Sequence, residues 1–283
     1  MPSEIENAEA DNTQRTYARL AGFLFLFEIV LALGSGFILS HIAGSGTFAE
    51  TGKRIAASEH LYRAALSTLV MVTLSSAVLA FALYATLRPI NRLLAQLAMI
   101  FSLADSFLAM VVRMCAFVRL HLYISAQTVP VGTATAEALA DLMRTIAGTT
   151  ENLGGISFGL GSLLFFYLFF RSSYIPRGIS VLGLFASVIW SGVYFANLIF
   201  PERHELFQYI CFPPMALADV ITGFYLILFA VKADKPGHQL AIGVGIVIAT
   251  SKLMKPRWTC RCTMAAGRII KPICGSTVDR EER

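Results

Sequence analysis

Residues 64–118 read AALSTLVMVTLSSAVLAFALYATLRPINRLLAQLAMIFSLADSFLAMVVRMCAFV. Two apolar runs, Ala64–Leu87 and Leu93–Val118, are parted only by Arg88-Pro89-Ile90-Asn91-Arg92. Crossing about 30 Å of hydrocarbon takes roughly 20 residues of α-helix, and each run is long enough. In lipid every backbone N–H and C=O must be satisfied within the segment, which a helix does and a lone strand does not. Neither run alternates with the period of two that marks a barrel strand. Pro89 biases Arg88 out of helical geometry, so the turn is tight and the two helices form an antiparallel pair.

Four more stretches have the same character: Leu20–Ile42, Leu153–Phe170, Gly178–Phe200 and Cys211–Val231. The fold class is all-α, a polytopic membrane helix bundle with six transmembrane helices. The first stretch is longer than the roughly 7–15 residues of a signal-peptide core and no small-x-small cleavage site follows it, so it is a retained helix. Leu240–Thr250 is apolar but too short to span, and Lys252 and Lys255 follow at once. The chain divides into an N-terminal segment (1–19), a transmembrane domain (20–232) and a basic, partly disordered tail (233–283).

Composition agrees. Of 283 residues, 56% are hydrophobic and only 14% charged, against about 25% charged in soluble domains. Phe contributes 21 residues, suited to a lipid-facing surface. The net charge of +5 follows the membrane topology, so nucleic acid is not a partner that it implies. The lipid bilayer is the partner that composition does imply; a partner protein is not legible. Five Cys form no even framework, and two lie in or at apolar segments, which excludes a disulfide scaffold.

Arg and Lys near the helix ends set orientation. Arg15, Arg19, Arg88, Arg92, Arg171, Arg177, Lys232 and Lys235 lie on one side, mostly in very short connections. Lys53, Arg54, Arg63, Arg119, Arg144 and Arg203 lie on the other, diluted over longer loops. Both termini are therefore expected in the cytoplasm. In the loop before the fourth span, Leu139, Leu142, Met143 and Ile146 share a helical face, with Glu137, Asp141 and Arg144 opposite. This predicts a short amphipathic helix, on the outer surface or extending the fourth span.

The run Ala82-Leu83-Tyr84-Ala85-Thr86-Leu87-Arg88-Pro89-Ile90-Asn91-Arg92 resembles the signature turn of a bacterial membrane family known as domain of unknown function 4386. Phe170-Arg171-Ser172-Ser173-Tyr174-Ile175-Pro176-Arg177 is similar to that family's other recurrent segment, and Tyr17-Ala18-Arg19-Leu20-Ala21-Gly22 also fits. The resemblance covers roughly residues 15–232. It implies the six-span layout and a bacterial inner (plasma) membrane location, and it brings no agreed activity and no catalytic residues.

Gly155-Ile156-Ser157-Phe158-Gly159 matches G-x-S-x-G, but a hydrolase elbow needs a strand–turn–helix context that an apolar helix lacks. An intramembrane serine protease would need a general base, and His41, His60, His121, His204 and His238 all fall in loops or at helix ends. Packing is the better reading: Gly155 and Gly159 form G-x-x-x-G and Ser162 continues the small face. In the tail, Cys260-Arg261-Cys262 and Cys274 lack the ligand count and spacing of a zinc site. No phosphate loop, dinucleotide fingerprint or H-E-x-x-H is present, so no metal, cofactor or catalytic residue is expected.

Glu28, Asp105, Arg113 and Asp219 are the ionisable groups inside spans. Each costs about 2.5–3.5 kcal/mol at a helix centre, so such residues face the bundle interior and often function. At about 1.5 Å per residue, Glu28 lies about 12 Å above the cytoplasmic face, with Asp105 and Asp219 both about 18 Å above it. Arg113 comes near the outer boundary, where it can snorkel to headgroups. Two facing aspartates could share one proton or one cation. The leading expectation is a small transporter or membrane sensor that binds a small-molecule, ionic or lipid-like ligand at Glu28, Asp105 and Asp219. The alternatives are a structural or accessory membrane protein and, third, an intramembrane enzyme.

Overall fold

The computed structural model describes residues 2–128, 132–200 and 204–229, with side chains from residue 12 onward except 128, 133 and 204–209. These residues form seven helices: α1 (Pro2–Ala43), α2 (Phe48–Ala57), α3 (Glu59–Leu87), α4 (Arg92–Thr128), α5 (Thr133–Ser172), α6 (Arg177–Ile199) and α7 (His204–Phe229). Six are long and apolar enough to cross a membrane, and α2 is not. The apolar run Leu240–Thr250 and the cysteine-bearing tail lie outside the described residues.

Chain punctuation sets the ends. Gly44, at φ +56, closes α1 in the left-handed region where glycine is unstrained, and its N–H reaches Ser40 O at 2.9 Å. Asn91 caps α4, its Oδ1 accepting from Leu94 N at 3.1 Å, which explains an Asn after the Arg-Pro turn. Ser173, also left-handed, ends α5, and Pro176 then opens α6 at a position where a missing N–H costs nothing. The predicted amphipathic helix over 139–146 is continuous with the fourth span, which makes α5 a 40-residue helix. Pro213 and Pro214 lie inside α7, beyond its first two turns, and withdraw two helical N–H donors there.

α2 was not anticipated as a helix. Thr47 and Glu50 form a reciprocal capping box at its start, with Thr47 N to Glu50 Oε2 at 3.0 Å. Arg54 reaches back to Ala43 O at 2.7 Å and Ser45 O at 3.0 Å, so a cation covers the carbonyl end of α1. Ile55 is fully buried among Ile42, Leu66, Leu120 and Tyr123. This short helix therefore closes one end of α1, α3 and α4.

The spans make a closed ring. α1 packs on α3, α3 on α4, α4 on α5, α5 on α6, α6 on α7, and α7 returns to α1. Each is antiparallel to both neighbours. The α1–α7 seam is built on glycine: a Cβ on Gly22 would sit 2.7 Å from Gly223 O, and one on Gly223 would sit 3.2 Å from Gly22 O. Bare backbone on both sides lets the first and last spans touch.

Both short turns lie at one end of the ring, the turn end, and α2 lies at the other. Toward the turn end the interior is filled by one apolar cluster that includes Leu83, Leu87, Phe165, Phe166, Phe169 and Leu226. Toward the α2 end two smaller clusters replace it, one around Ile55 and Leu120, the other around Ile156, Tyr194 and Cys211. Large apolar side chains such as Phe23, Leu33, Phe37, Phe107 and Phe185 point outward, which suits lipid rather than water.

Candidate functional site

Serine and threonine inside these helices first satisfy themselves locally. Thr73, Thr86 and Ser187 donate to the carbonyl four residues back in their own helices. Ser157, of the G-x-S-x-G run, does the same to Leu153 O at 3.1 Å. Polar groups left over from this local pairing are the ones that mark a site.

Glu28 on α1 accepts a 3.1 Å hydrogen bond from Ser75 Oγ on α3, and the charges acting on it include Asp219 and Asp105. Asp105 on α4 is half-buried and lies against α5: its Oδ1 is 3.0 Å from where a Cβ on Gly154 would be. The charges that act on Asp105 include Arg113 and Glu151. Asp219 is half-buried on α7, one turn before the fully buried Thr222, whose hydroxyl has no partner among the described residues. In ring order α4 and α7 stand opposite one another. Among the described residues no three His, Cys, Asp or Glu converge as a metal set would.

Arg113 is half-buried, with its Nε enclosed and without a hydrogen-bond partner among the described residues. Its charged neighbours are Glu151 and Asp105. Gly155 and Gly159 face α6, where added Cβ atoms would meet the Tyr194 ring and Ser191. Ser162 is half-buried on the same helix.

The structure adds Glu151, Tyr194, Asn152 and Asn197, which sequence reasoning did not single out. Glu151 lies just before Leu153, where the apolar run seemed to begin, and continuation of the 139–146 helix into the span is the signal that places it in α5. Tyr194 lies over Gly155, with Glu151, Cys211 and Asp105 acting on it. Tyr194 and Asn197 share the buried stripe of α6. Asn197 is 1% exposed and neither of its side-chain polar atoms has a partner among the described residues; Asn152 Oδ1 is likewise enclosed and unpartnered. Uncharged polar residues inside an apolar run barely lower its hydropathy, so nothing flagged them.

Chemically, the spans that carry these carboxylates also carry buried polar atoms without partners among the described residues: Arg113 Nε on α4, Asn152 Oδ1 on α5 and Thr222 Oγ1 on α7. A buried polar group left unpaired costs about 1–3 kcal/mol, so water or a ligand is the expected complement.

No curated protein and no solved structure matches the chain. A family model described as a domain of unknown function, DUF4386, matches residues 20–230, which takes in α1 from Leu20 onward and α2 to α7. The chain, with six described helices long and apolar enough to cross a membrane, belongs to the DUF4386 family.

Proposed function

We propose that the chain is a small transporter, or a membrane sensor, that takes a small or lipid-like ligand at the level of Glu28, Asp105 and Asp219. One observation carries this reading: Glu28 has both aspartates among the charges acting on it, although α4 and α7 are opposite members of the ring. Helix axes packed about 8–10 Å apart put opposite members of a regular six-membered ring about 16–20 Å apart. Glu28 on α1, which packs against α7, supplies a third carboxyl group at this level. Hydrocarbon does not solvate bare carboxylates, so this level calls for protons, a cation or a polar ligand. The short, Arg-rich turns belong in the cytoplasm by the positive-inside rule, in the inner membrane of a bacterium.

Asp105→Asn and Asp219→Asn test the reading in purified protein. Asn keeps shape and hydrogen bonding, so both variants should remain monodisperse with nearly unchanged melting temperature. They should also lose the pH-dependent part of wild-type stability and any stabilisation found in a small-molecule thermal-shift screen. Asn variants that match wild type in every such measurement would leave only a structural role.

A further inference from the structure

We infer that the α2-end segments of α4, α5 and α6 form a binding site for an organic cation, an ammonium or other onium group carrying an apolar body. The inference rests on reading Asp105 as part of a ligand site, and it does not require that the protein transports.

The site is built on two successive glycines. Gly154 seats the Asp105 carboxylate from α4, and Gly155 seats the ring of Tyr194 from α6. A carboxyl group and an aromatic ring are thereby held against adjacent residues of one helix, one from α4 and one from α6. Glu151, one turn toward the α2 end, acts on both Asp105 and Tyr194 and is exposed, which puts a second carboxylate at the mouth. Arg113 also acts on Asp105. Two carboxyl groups stand here with one guanidinium, and carboxyl groups beside aromatic rings suit an organic cation.

Aromatic surface continues from Tyr194. Trp190 lies 5.2 Å from Tyr194, 5.3 Å from Phe158 and 5.7 Å from Phe212, measured between ring centroids. Faces of Trp and Tyr attract cations, more so where water is excluded. The ligand's apolar body would be received by the same rings, as small-molecule sites are mostly apolar with a few placed polar groups.

An independent observation points to an occupant. Asn197 is nine-tenths buried and more, lies one turn beyond Tyr194 on the same stripe, and leaves both side-chain polar atoms unpartnered among the described residues. Asn152 Oδ1, beside Glu151, is another enclosed acceptor without a partner there. Asn197 Oδ1 and Asn152 Oδ1 suit the N–H groups of an amine, and Asn197 Nδ2 and Trp190 Nε1 are donors for the water around an onium.

The test uses the full chain in detergent, with tetraphenylphosphonium as probe and tetraphenylborate, of the same shape and opposite charge, as its control. Binding of the cation is read with an ion-selective electrode. In the Trp258→Phe background Trp190 is the sole tryptophan, so its emission reports where the ion sits. The cation should bind saturably and change Trp190 emission, and the anion should not. Asp105→Asn and, separately, Glu151→Gln should weaken binding about tenfold or more, as loss of a charge-assisted contact does. Repeating the titration in micelles doped with phosphatidylcholine assigns the source: displacement indicates a lipid headgroup ammonium, and unchanged binding a free cation. Equal, unsaturable uptake of both ions, or binding that Glu151→Gln and Asp105→Asn leave unchanged, overturns the inference. If the cation does not bind while Asp105→Asn still loses pH-dependent stability, the ligand class fails and the carboxylate site stands.

Discussion

Gln14 Nε2 donates a 2.9 Å hydrogen bond to the hydroxyl of Tyr174, across 160 residues of sequence. The same amide donates to Thr86 O at 2.8 Å. One side chain near the start of the first span thus joins the end of α3 to the turn between α5 and α6. All three segments that carry the family resemblance meet at this end of the ring.

Tyr174→Phe removes one of these bonds and should lower stability by about 0.5–1.5 kcal/mol, and Gln14→Ala, which removes two, by more. Combined, the two changes should cost less than the sum of the single ones, because they delete a shared bond. Melting temperature in detergent reads all three variants; strict additivity would mean that the bond contributes nothing.

Glycine positions should divide sharply by what surrounds them. Gly223→Leu, or Leu at both Gly155 and Gly159, drives side chains into backbone or rings and should destabilise by about 1–3 kcal/mol or more. Gly34 and Gly36 have nothing within 4 Å of an added Cβ, so Ala there should be neutral or stabilising. Ser157→Ala should change little, since its hydroxyl serves only its own helix turn. Thermal unfolding of the set, scored by yield of monodisperse protein, separates the two classes.

At α2, Thr47→Ala should cost about 1 kcal/mol through loss of the cap. Arg54→Ala should expose the same region further, because it frees the last carbonyl of α1 and that of Ser45 in the turn. Hydrogen exchange across residues 40–58 should rise in both variants and stay unchanged at the turn end. A uniform rise along the chain would show that α2 is not a local cap.

Glu28→Gln keeps an acceptor for Ser75 and should fold normally; in Glu28→Leu the Ser75 hydroxyl still has Val72 O at 2.8 Å, so only the bond between α1 and α3 is lost. If Glu28 links the two aspartates, Gln should remove the same pH-dependent stabilisation as Asp105→Asn. Retention of that dependence in Glu28→Gln would cut Glu28 out of the site.

Reporter fusions at Lys235 and near Thr133 should give opposite sides, with the Lys235 fusion cytoplasmic. A cytoplasmic signal at both is incompatible with six spans.

The six spans were legible because hydropathy and length alone decide them. α2 was not, since ten residues of mixed polarity give no such signal; the Thr47…Glu50 spacing was the cue that went unused. Ring closure was beyond reach, for nothing near Gly22 names Gly223 as its neighbour. Of the candidate site, Glu28, Asp105 and Asp219 stood out because charge in an apolar run is expensive. Glu151 was lost at a span boundary set two residues too late, and Tyr194 and Asn197 were lost because they carry no charge.

The Gly22–Gly223 seam has a consequence for biosynthesis. Every other seam joins spans that leave the ribosome one after the other, but α1 must wait for α7, about 160 residues later. At roughly 5–20 residues per second that wait is about 8–30 s. Through it the glycine face of α1 has only lipid against it, so the nascent ring is an open arc until its last stave arrives. A chaperone or insertase that shelters α1 in that interval would act before the carboxylates are enclosed.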